Sequence, residues 1–387
     1  MIDFTLTDEQ QMLIEMTHNF VEKEMLPHEE TLERTDTLPP KLAASLKKRA
    51  IELGLHACNL PEEVGGGGLD AVSVMLIEKE LGRTSLALAE CAHRPLNILA
   101  SCEGEQVKKF LEPTIRGEKR DCIAMTEPGA GSDLRGMKCK AELDKDEWII
   151  NGEKHFISQA SISDYCVLFA ATGEDETDKG LKKRISAFLV DFNDHGVEVA
   201  PGYKNVSHRG YTNNILRFDN ARIPQWRIMG PEGDGFRIVN QWLGPTRLTV
   251  AATCVARAER AFEIALNYSA TREQFGQKIG KFQGISFELA DMATEIKMAN
   301  LMLLETAWKI DQGSVTPEDC AMTKLFCSEM LSRVADQSIQ TVGGMGLMED
   351  LPLERIWRDA RLERIWDGTS EIQRHIISRG LLRPLEK

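Results

Sequence analysis

The chain has 387 residues, 42% of them hydrophobic and 28% charged, with a formal charge of -13. That length allows two or three domains with sizeable cores, and the composition is that of a globular protein. The acidic balance argues against a nucleic-acid partner, which needs a basic patch, but leaves room for an anionic small ligand held by local groups. Nine scattered cysteines without a CxxC pair or metal-ligand spacing read as buried thiols in a reducing compartment, with no metal expected. No apolar run reaches membrane-spanning length, and Met1-Ile2-Asp3-Phe4 is not the start of a signal peptide. The expectation is a cytoplasmic protein.

Thr7-Asp8-Glu9-Gln10 has the form of a capping box ahead of a helix with Leu13, Met16 and Phe20 on one face. A second helical stretch runs from Leu42 to Leu53, and Gly65 to Gly68 reads as a flexible turn, since it lacks the Lys-Ser/Thr of a phosphate loop. Ala71 to Leu99 is again helical in pattern, interrupted near its end by Glu90, His93 and Arg94, and Glu103 to Leu111 forms another short helix. Beyond Cys122 the texture becomes β-rich. Trp148 to Ile157 reads as a hairpin with Asn151-Gly152 as its turn, Cys166–Ala171 and Ile185–Phe192 as strands, and Thr172–Lys183 as a solvated loop. Val197–Val199 and Asn214–Asp219 add further strands.

After Gly235 the pattern is helical. Leu248, Ala251, Val255, Ala258 and Phe262 mark one face; Ile285, Leu289, Met292, Ile296, Ala299 and Leu303 a second; Met322, Phe326, Met330 and Val334 a third. The expected class is therefore α+β: an all-α domain over 1–120, a sheet or barrel-like β domain over 121–232, and a four-helix-bundle domain over 233–387.

Near the C-terminus, Asp367 sits between an aromatic and a Gly-Thr-Ser step, with Thr369-Ser370-Glu371 a plausible helix start. A carboxylate on a tight turn beside Ile365 and Trp366 can serve as a partly desolvated base; taken alone, it is equally a loop aspartate at a helix N-terminus. Four stretches occurring together are more specific: Ala124-Met125-Thr126-Glu127-Pro128-Gly129-Ala130-Gly131-Ser132-Asp133, Ala270–Gln277, Gln340–Gly346 and Ile365–Arg374. In their order and domain context they resemble the acyl-CoA dehydrogenase family over essentially the whole chain.

The resemblance implies that fold, FAD as cofactor and an acyl-CoA substrate. It implies that Met125, Thr126, Gly131 and Ser132 lie along the flavin and the thioester, and that Phe156 and Ser158 touch the isoalloxazine. Phe156 stands where Trp is usual, so the indole N–H is lost. Arg272, Gln274 and Phe275, with Gln340, Gly343 and Gly344, would reach the FAD of a neighbouring subunit; Thr369 and Glu371 also fall on cofactor positions. The corresponding assembly is a homotetramer, a dimer of dimers, with electron-transfer flavoprotein as electron acceptor. Asp367 aligns with the catalytic base, which is usually Glu, and Thr246 with the alternative base position, where no acid stands. Arg247 aligns with a position at the CoA end, near the pantetheine and the base, the plainer alternative being a buried ion pair; Trp366 and Gly368 fall on substrate positions. Glu90, His93 and Arg94 would face the acyl group, implying a polar, acidic or cyclic one; the plainer alternative is a Glu90–Arg94 pair one helical turn apart. With Asp as base, the resemblance admits an ordinary α,β-dehydrogenase, a lyase or desulfinase, a 1,4-dehydrogenating enzyme on a cyclic acyl group, or a non-catalytic acyl-CoA and FAD binder.

Overall fold

A computed structural model describes residues 5–177 and 180–386. Residues 1–4, on which the signal-peptide reading rests, lie outside the described residues, as do Asp178 and Lys179 of the polar segment expected as a loop. The N-terminal helices are α1 (Asp8–Phe20), α2 (Glu29–Thr35), α3 (Pro40–Glu52), α4 (Ala71–Leu81), α5 (Leu86–Ala89) and α6 (Glu112–Ile115). The capping box is present, with Gln10 N–H donating to Thr7 Oγ1 at 3.1 Å and Thr7 N–H to Gln10 Oε1 at 3.2 Å. The pattern from Ala71 to Leu99 is not one helix. It breaks at Gly82, where an added Cβ would lie 2.7 Å from Thr253 Cα of a neighbouring helix, and Glu90 to Arg94 fall in the connection after α5. The glycine run is an ordered turn and not a flexible one. Cβ atoms on Gly66 and Gly67 would meet Leu60 O at 2.3 Å and Cys58 Cα at 2.8 Å.

The strands are β1 (Asp121–Ala124), β2 (Lys140–Asp144), β3 (Glu147–Ser158), β4 (Tyr165–Thr177), β5 (Gly180–Asp191), β6 (Val197–Pro201), β7 (Asn213–Pro224) and β8 (Ile228–Met229). They form a sheet in the order β6-β7-β3-β2-β4-β5-β8, with β1 parallel to β4. Asn151-Gly152 is no turn. It lies inside β3 at a register shift against β7, and the chain reverses instead between Asp144 and Glu147, where Lys145 takes a φ of 59°. The bulge explains the error: Asn-Gly supplies the same backbone freedom to a bulge as to a hairpin turn. Likewise β4 and β5 pair out to Thr177 and Gly180, so most of the expected loop is ladder. Alternate residues bury both faces: Tyr165, Val167 and Phe169 pack toward the N-terminal helices, while Cys166, Leu168 and Ala170 pack toward β3 and β7.

The C-terminal part contains α7 (Gly235–Thr271), a two-stranded ribbon β9 (Glu273–Gln274) and β10 (Gln277–Lys278), then α8 (Gln283–Asp311), α9 (Pro317–Val342), α10 (Leu353–Glu363) and α11 (Ser370–Leu382). α7 is buried almost all round from Leu248 to Ala258, with small residues such as Ala251, Ala252 and Cys254 admitting close neighbours. On α9, Met330 and Val334 are buried as expected, but Met322 is 39% exposed. No described helix is long and apolar enough to cross a membrane.

The loop joining β6 to β7 docks on α10 through His208. Its backbone N–H donates to Asp359 Oδ1 at 2.6 Å; its ring nitrogens lie 3.4 Å from Asp359 Oδ2 and 3.3 Å from Glu363 Oε1, and Arg257 also binds Glu363. Burial opposes the charge on His208, but the two carboxylates outweigh it and raise its pKa to about 9 from an ordinary 6.5. The ion-paired form therefore stabilises the fold in full below pH 6.5, and that stabilisation drains away as pH rises through 9. His208→Gln is expected to destabilise by about 3 kcal/mol near pH 6, because it strands buried carboxylates. Thermal unfolding as a function of pH checks this: the difference from wild type should shrink between pH 7 and 9.5.

Candidate active site

α10 ends at Glu363, and α11 begins at Ser370 with Thr369 as its cap, Thr369 Oγ1 accepting from Ile372 N–H at 3.3 Å. Between them Asp367 and Gly368 take φ values of 50° and 91°. Left-handed backbone is accessible to Asp and easy for Gly. A Cβ on Gly368 would lie 2.7 Å from Gln373 Nε2. The turn directs two carbonyls inward: Gln373 Nε2 donates to Gly368 O at 2.7 Å and Asp367 O at 3.2 Å, and Lys324 Nζ of α9 donates to Gly368 O at 2.9 Å. No backbone acceptor takes the Asp367 N–H among the described residues.

The Asp367 carboxylate projects toward α7, where Thr246 Oγ1 donates to Oδ2 at 3.4 Å. The two positions considered for a base thus converge on one spot. Burial raises the Asp367 pKa from 3.8 to about 6; Lys324 and Arg247 pull it down, Glu363 pushes it up, and the Thr246 hydroxyl lowers it. Arg247 is buried, with Nε lacking a hydrogen-bond partner. Trp366 is held by Nε1–H donation to Glu363 Oε2 at 2.6 Å and stacks on His208 at 5.2 Å between ring centroids.

Asp367, Thr246 and Trp366 open on a cavity of about 510 Å³. Its apolar lining includes Val74, Met75 and Leu248, and Ser158 and Tyr211 also face it. The polar trio expected from the sequence lines the same cavity, but its pairing differs from a Glu90–Arg94 couple on a helix. Those two side chains stand 3.9 Å apart. Arg94 instead grips Glu78 of α4 at 2.6 and 2.7 Å, Glu90 binds Arg120 at 2.9 Å, and His93 Nε2 meets Asp121 at 2.6 Å. Burial alone would raise the Glu90 pKa, but His93, Arg94 and Arg120 hold it down at about 2.

The remaining predicted positions are half-buried or exposed. The loop after β1 carries Met125 and Thr126, half-buried, and Gly131 and Ser132, exposed. Phe156 leaves the β3–β7 ladder at a bulge, with φ 56° and 58% exposure. Phe275 and Gly276, both left-handed, form the tip of the β9–β10 ribbon, and Phe275 is 94% exposed beside exposed Arg272 and Gln274. Gln340, Gly343, Gly344 and Glu371 are likewise exposed.

The chain matches, in order, the N-terminal domain of acyl-CoA dehydrogenase over residues 7–118, its middle domain over 122–221 and its C-terminal domain over 233–382. It belongs to the acyl-CoA dehydrogenase family. It is 38% identical to the probable acyl-CoA dehydrogenase YngJ of Bacillus subtilis, over 99% of this chain and 100% of that one. With the human mitochondrial short-chain specific acyl-CoA dehydrogenase it shares 36% identity, over 98% and 91%. The structure of butyryl-CoA dehydrogenase from Megasphaera elsdenii superposes with a TM-score of 0.90 at 31% identity, covering 99% of this chain and all of that one. These are oxidoreductases acting on CH–CH groups with a flavin acceptor.

The family uses FAD, and the residues here fit it. An added Cβ on Gly129, Gly131, Gly343 or Gly344 would meet no atom within 4 Å, so these backbones are open to a ligand. Phe156 and Phe275 hold exposed aromatic faces in strained backbone, which burial within this chain does not explain.

Several site groups escape a reading of motifs. Lys154 Nζ, fully buried, donates to Glu127 Oε1 at 2.7 Å and Met125 O at 2.9 Å; Glu127 also accepts from the Lys138 N–H at 2.5 Å and the Cys139 N–H at 3.0 Å. This pair clamps the loop bearing Met125 and Thr126. Lys324 is in phase with buried Cys320, Cys327 and Leu331 on α9, and a cation in an apolar stripe is a legible signal. Tyr211 and Arg120 had no such signal.

Because folding raises the Asp367 pKa, the ionised carboxylate costs stability: nothing below pH 3.8, increasingly up to pH 6, and a constant amount above. Asp367→Asn should therefore be more stable than wild type at pH 8 by roughly 1–3 kcal/mol. Comparison of unfolding midpoints at pH 4 and pH 8 checks this; the gain should vanish at the lower pH.

Proposed function

We propose that the chain is an FAD-dependent acyl-CoA dehydrogenase that oxidises a short acyl thioester between Cα and Cβ, with Asp367 as base. What carries this reading is Asp367, a carboxylate whose proton affinity is raised, at the wall of the cavity that also meets the flavin-side residue Ser158. When bound, the flavin accepts the Cβ hydride at N5. The chain's own part is to hold the thioester, to take the Cα proton on Asp367, and to exclude water. The Asp367 N–H donates to the thioester oxygen, stabilising the enolate-like charge that develops as the proton leaves. A carboxylate raised to about 6 is a stronger proton acceptor than an exposed one yet still ionised at pH 7. Met125, Thr126, Gly131, Ser132, Phe156 and Ser158 hold the cofactor from within the subunit. Arg272, Gln274, Phe275, Gln340, Gly343 and Gly344 reach a neighbour's cofactor in a dimer of dimers, and electron-transfer flavoprotein receives the electrons. The three domains divide at 1–120, 121–232 and 233–387.

The cavity also limits the acyl group. Three carboxylates (Glu78, Glu90, Asp121) face two guanidiniums (Arg94, Arg120) and one imidazole (His93), so no cation is left over for an acidic tail. A long alkyl chain would lie against charges. We therefore take the acyl group to be short and uncharged, with a polar atom or ring facing the charged cluster around His93. Glu90, held at about 2, is a poor second base, which disfavours 1,4-dehydrogenation.

Anaerobic mixing with short acyl-CoAs should bleach the flavin, with the rate under kcat/KM conditions rising through pH 6. Asp367→Asn should cut bleaching at least 1000-fold, and Asp367→Glu should retain turnover. Undiminished Cα-proton exchange in the Asn variant would rule out this base. Arg272→Ala is expected to purify with less FAD per chain while keeping its fold; unchanged FAD content and absorbance would contradict the shared site.

A further inference from the structure

We propose that Lys324 is the positioning residue of the active site, its buried ammonium pinning the turn that carries Asp367 and standing as the cation behind that carboxylate. The inference rests on Asp367 being the base. Lys324 has no exposed surface, an unusual state for an ammonium, and its Nζ donates to Gly368 O at 2.9 Å. It forms no ion pair among the described residues, so its charge is not neutralised by a contacting partner.

The geometry explains why a cation stands there. Asp367 and Gly368 occupy consecutive left-handed conformations that turn both carbonyls away from solvent and the carboxylate toward Thr246. A buried carbonyl without a donor destabilises by about 1–3 kcal/mol. Gln373, also buried, supplies one donor to each carbonyl, and Lys324 supplies the second to Gly368. Gln373 brings only hydrogen bonds; Lys324 brings a hydrogen bond and a charge. The charged and titratable groups around the carboxylate are Lys324 on α9, Arg247 on α7, Glu363 at the end of α10 and Tyr211 on the β6–β7 loop. Of the two cations, Lys324 exerts the larger pull on the acid. It counters both desolvation and Glu363.

The test separates charge from scaffolding by comparing Lys324→Met and Lys324→Gln with Gln373→Leu, using Asp367→Asn in each background as reference. The pH dependence of the difference in unfolding midpoint between each protein and its Asp367→Asn derivative reports the Asp367 titration without any turnover. Its midpoint should rise by about one pH unit when Lys324 becomes neutral and stay put in Gln373→Leu, although both lose stability. The bleaching rate of the Lys324 variants should fall about threefold at pH 6.5 and recover toward pH 8.5. If Lys324→Met does not fold, Lys324→Gln, which keeps a donor, gives the same reading. Lys324 variants with an unmoved titration midpoint would overturn the proposal while leaving the base assignment intact. Full bleaching by Asp367→Asn would instead remove the base and, with it, the role given to Lys324.

Discussion

A carboxylate held out of water beside a cavity is the constraint around which this molecule is built. Desolvation raises the proton affinity of Asp367, and the cations Lys324 and Arg247 pull it back down. Hence the buried Lys324 and Arg247, and hence a left-handed turn that aims the side chain at α7 while its carbonyls find donors on α9 and α11. A regular helix would have aimed the same side chain elsewhere.

That turn is held by parts distant in sequence. Trp366, its immediate neighbour, is fixed by Glu363 and by His208 on the β6–β7 loop, and His208 is fixed by Asp359 and Glu363. The sheet domain therefore braces the Asp367 turn from one side and the helical core from the other. α8 contributes at its last residue: Asp311 accepts the N–H groups of Ala71 and Val72 at 2.7 and 3.2 Å, seating the start of α4. α4 in turn delivers Val74, Met75 and Glu78 to the cavity wall. Each contact is modest, but together they give the carboxylate one direction.

The polar side of the cavity obeys the same rule. Glu78 and Asp121 are buried and Glu90 half-buried, and each meets a guanidinium or imidazole at hydrogen-bonding distance. Buried charges left unpaired would be strongly destabilising, so a cluster like this forms complete or not at all. Its completeness leaves neither guanidinium of the cluster without a carboxylate partner.

The sequence by itself determined the family, the α–β–α order and the turn bearing Asp367, because these depend on local patterns and on motifs that survive without tertiary context. The capping box at Thr7 is legible for the same reason: its hydrogen bonds span three residues. Where local chemistry is ambiguous the reading failed. Asn151-Gly152 suits a hairpin or a bulge, and only pairing with β7 decides between them. Glu90 and Arg94 have the spacing of a helical pair and stand 3.9 Å apart, but α5 ends at Ala89, and closer partners come from α4 and from Arg120 just before β1. Tertiary structure alone brought Thr246, Lys324, Arg247 and Asp367 together across more than a hundred residues, because burial, and not spacing along the chain, sets which charges must meet.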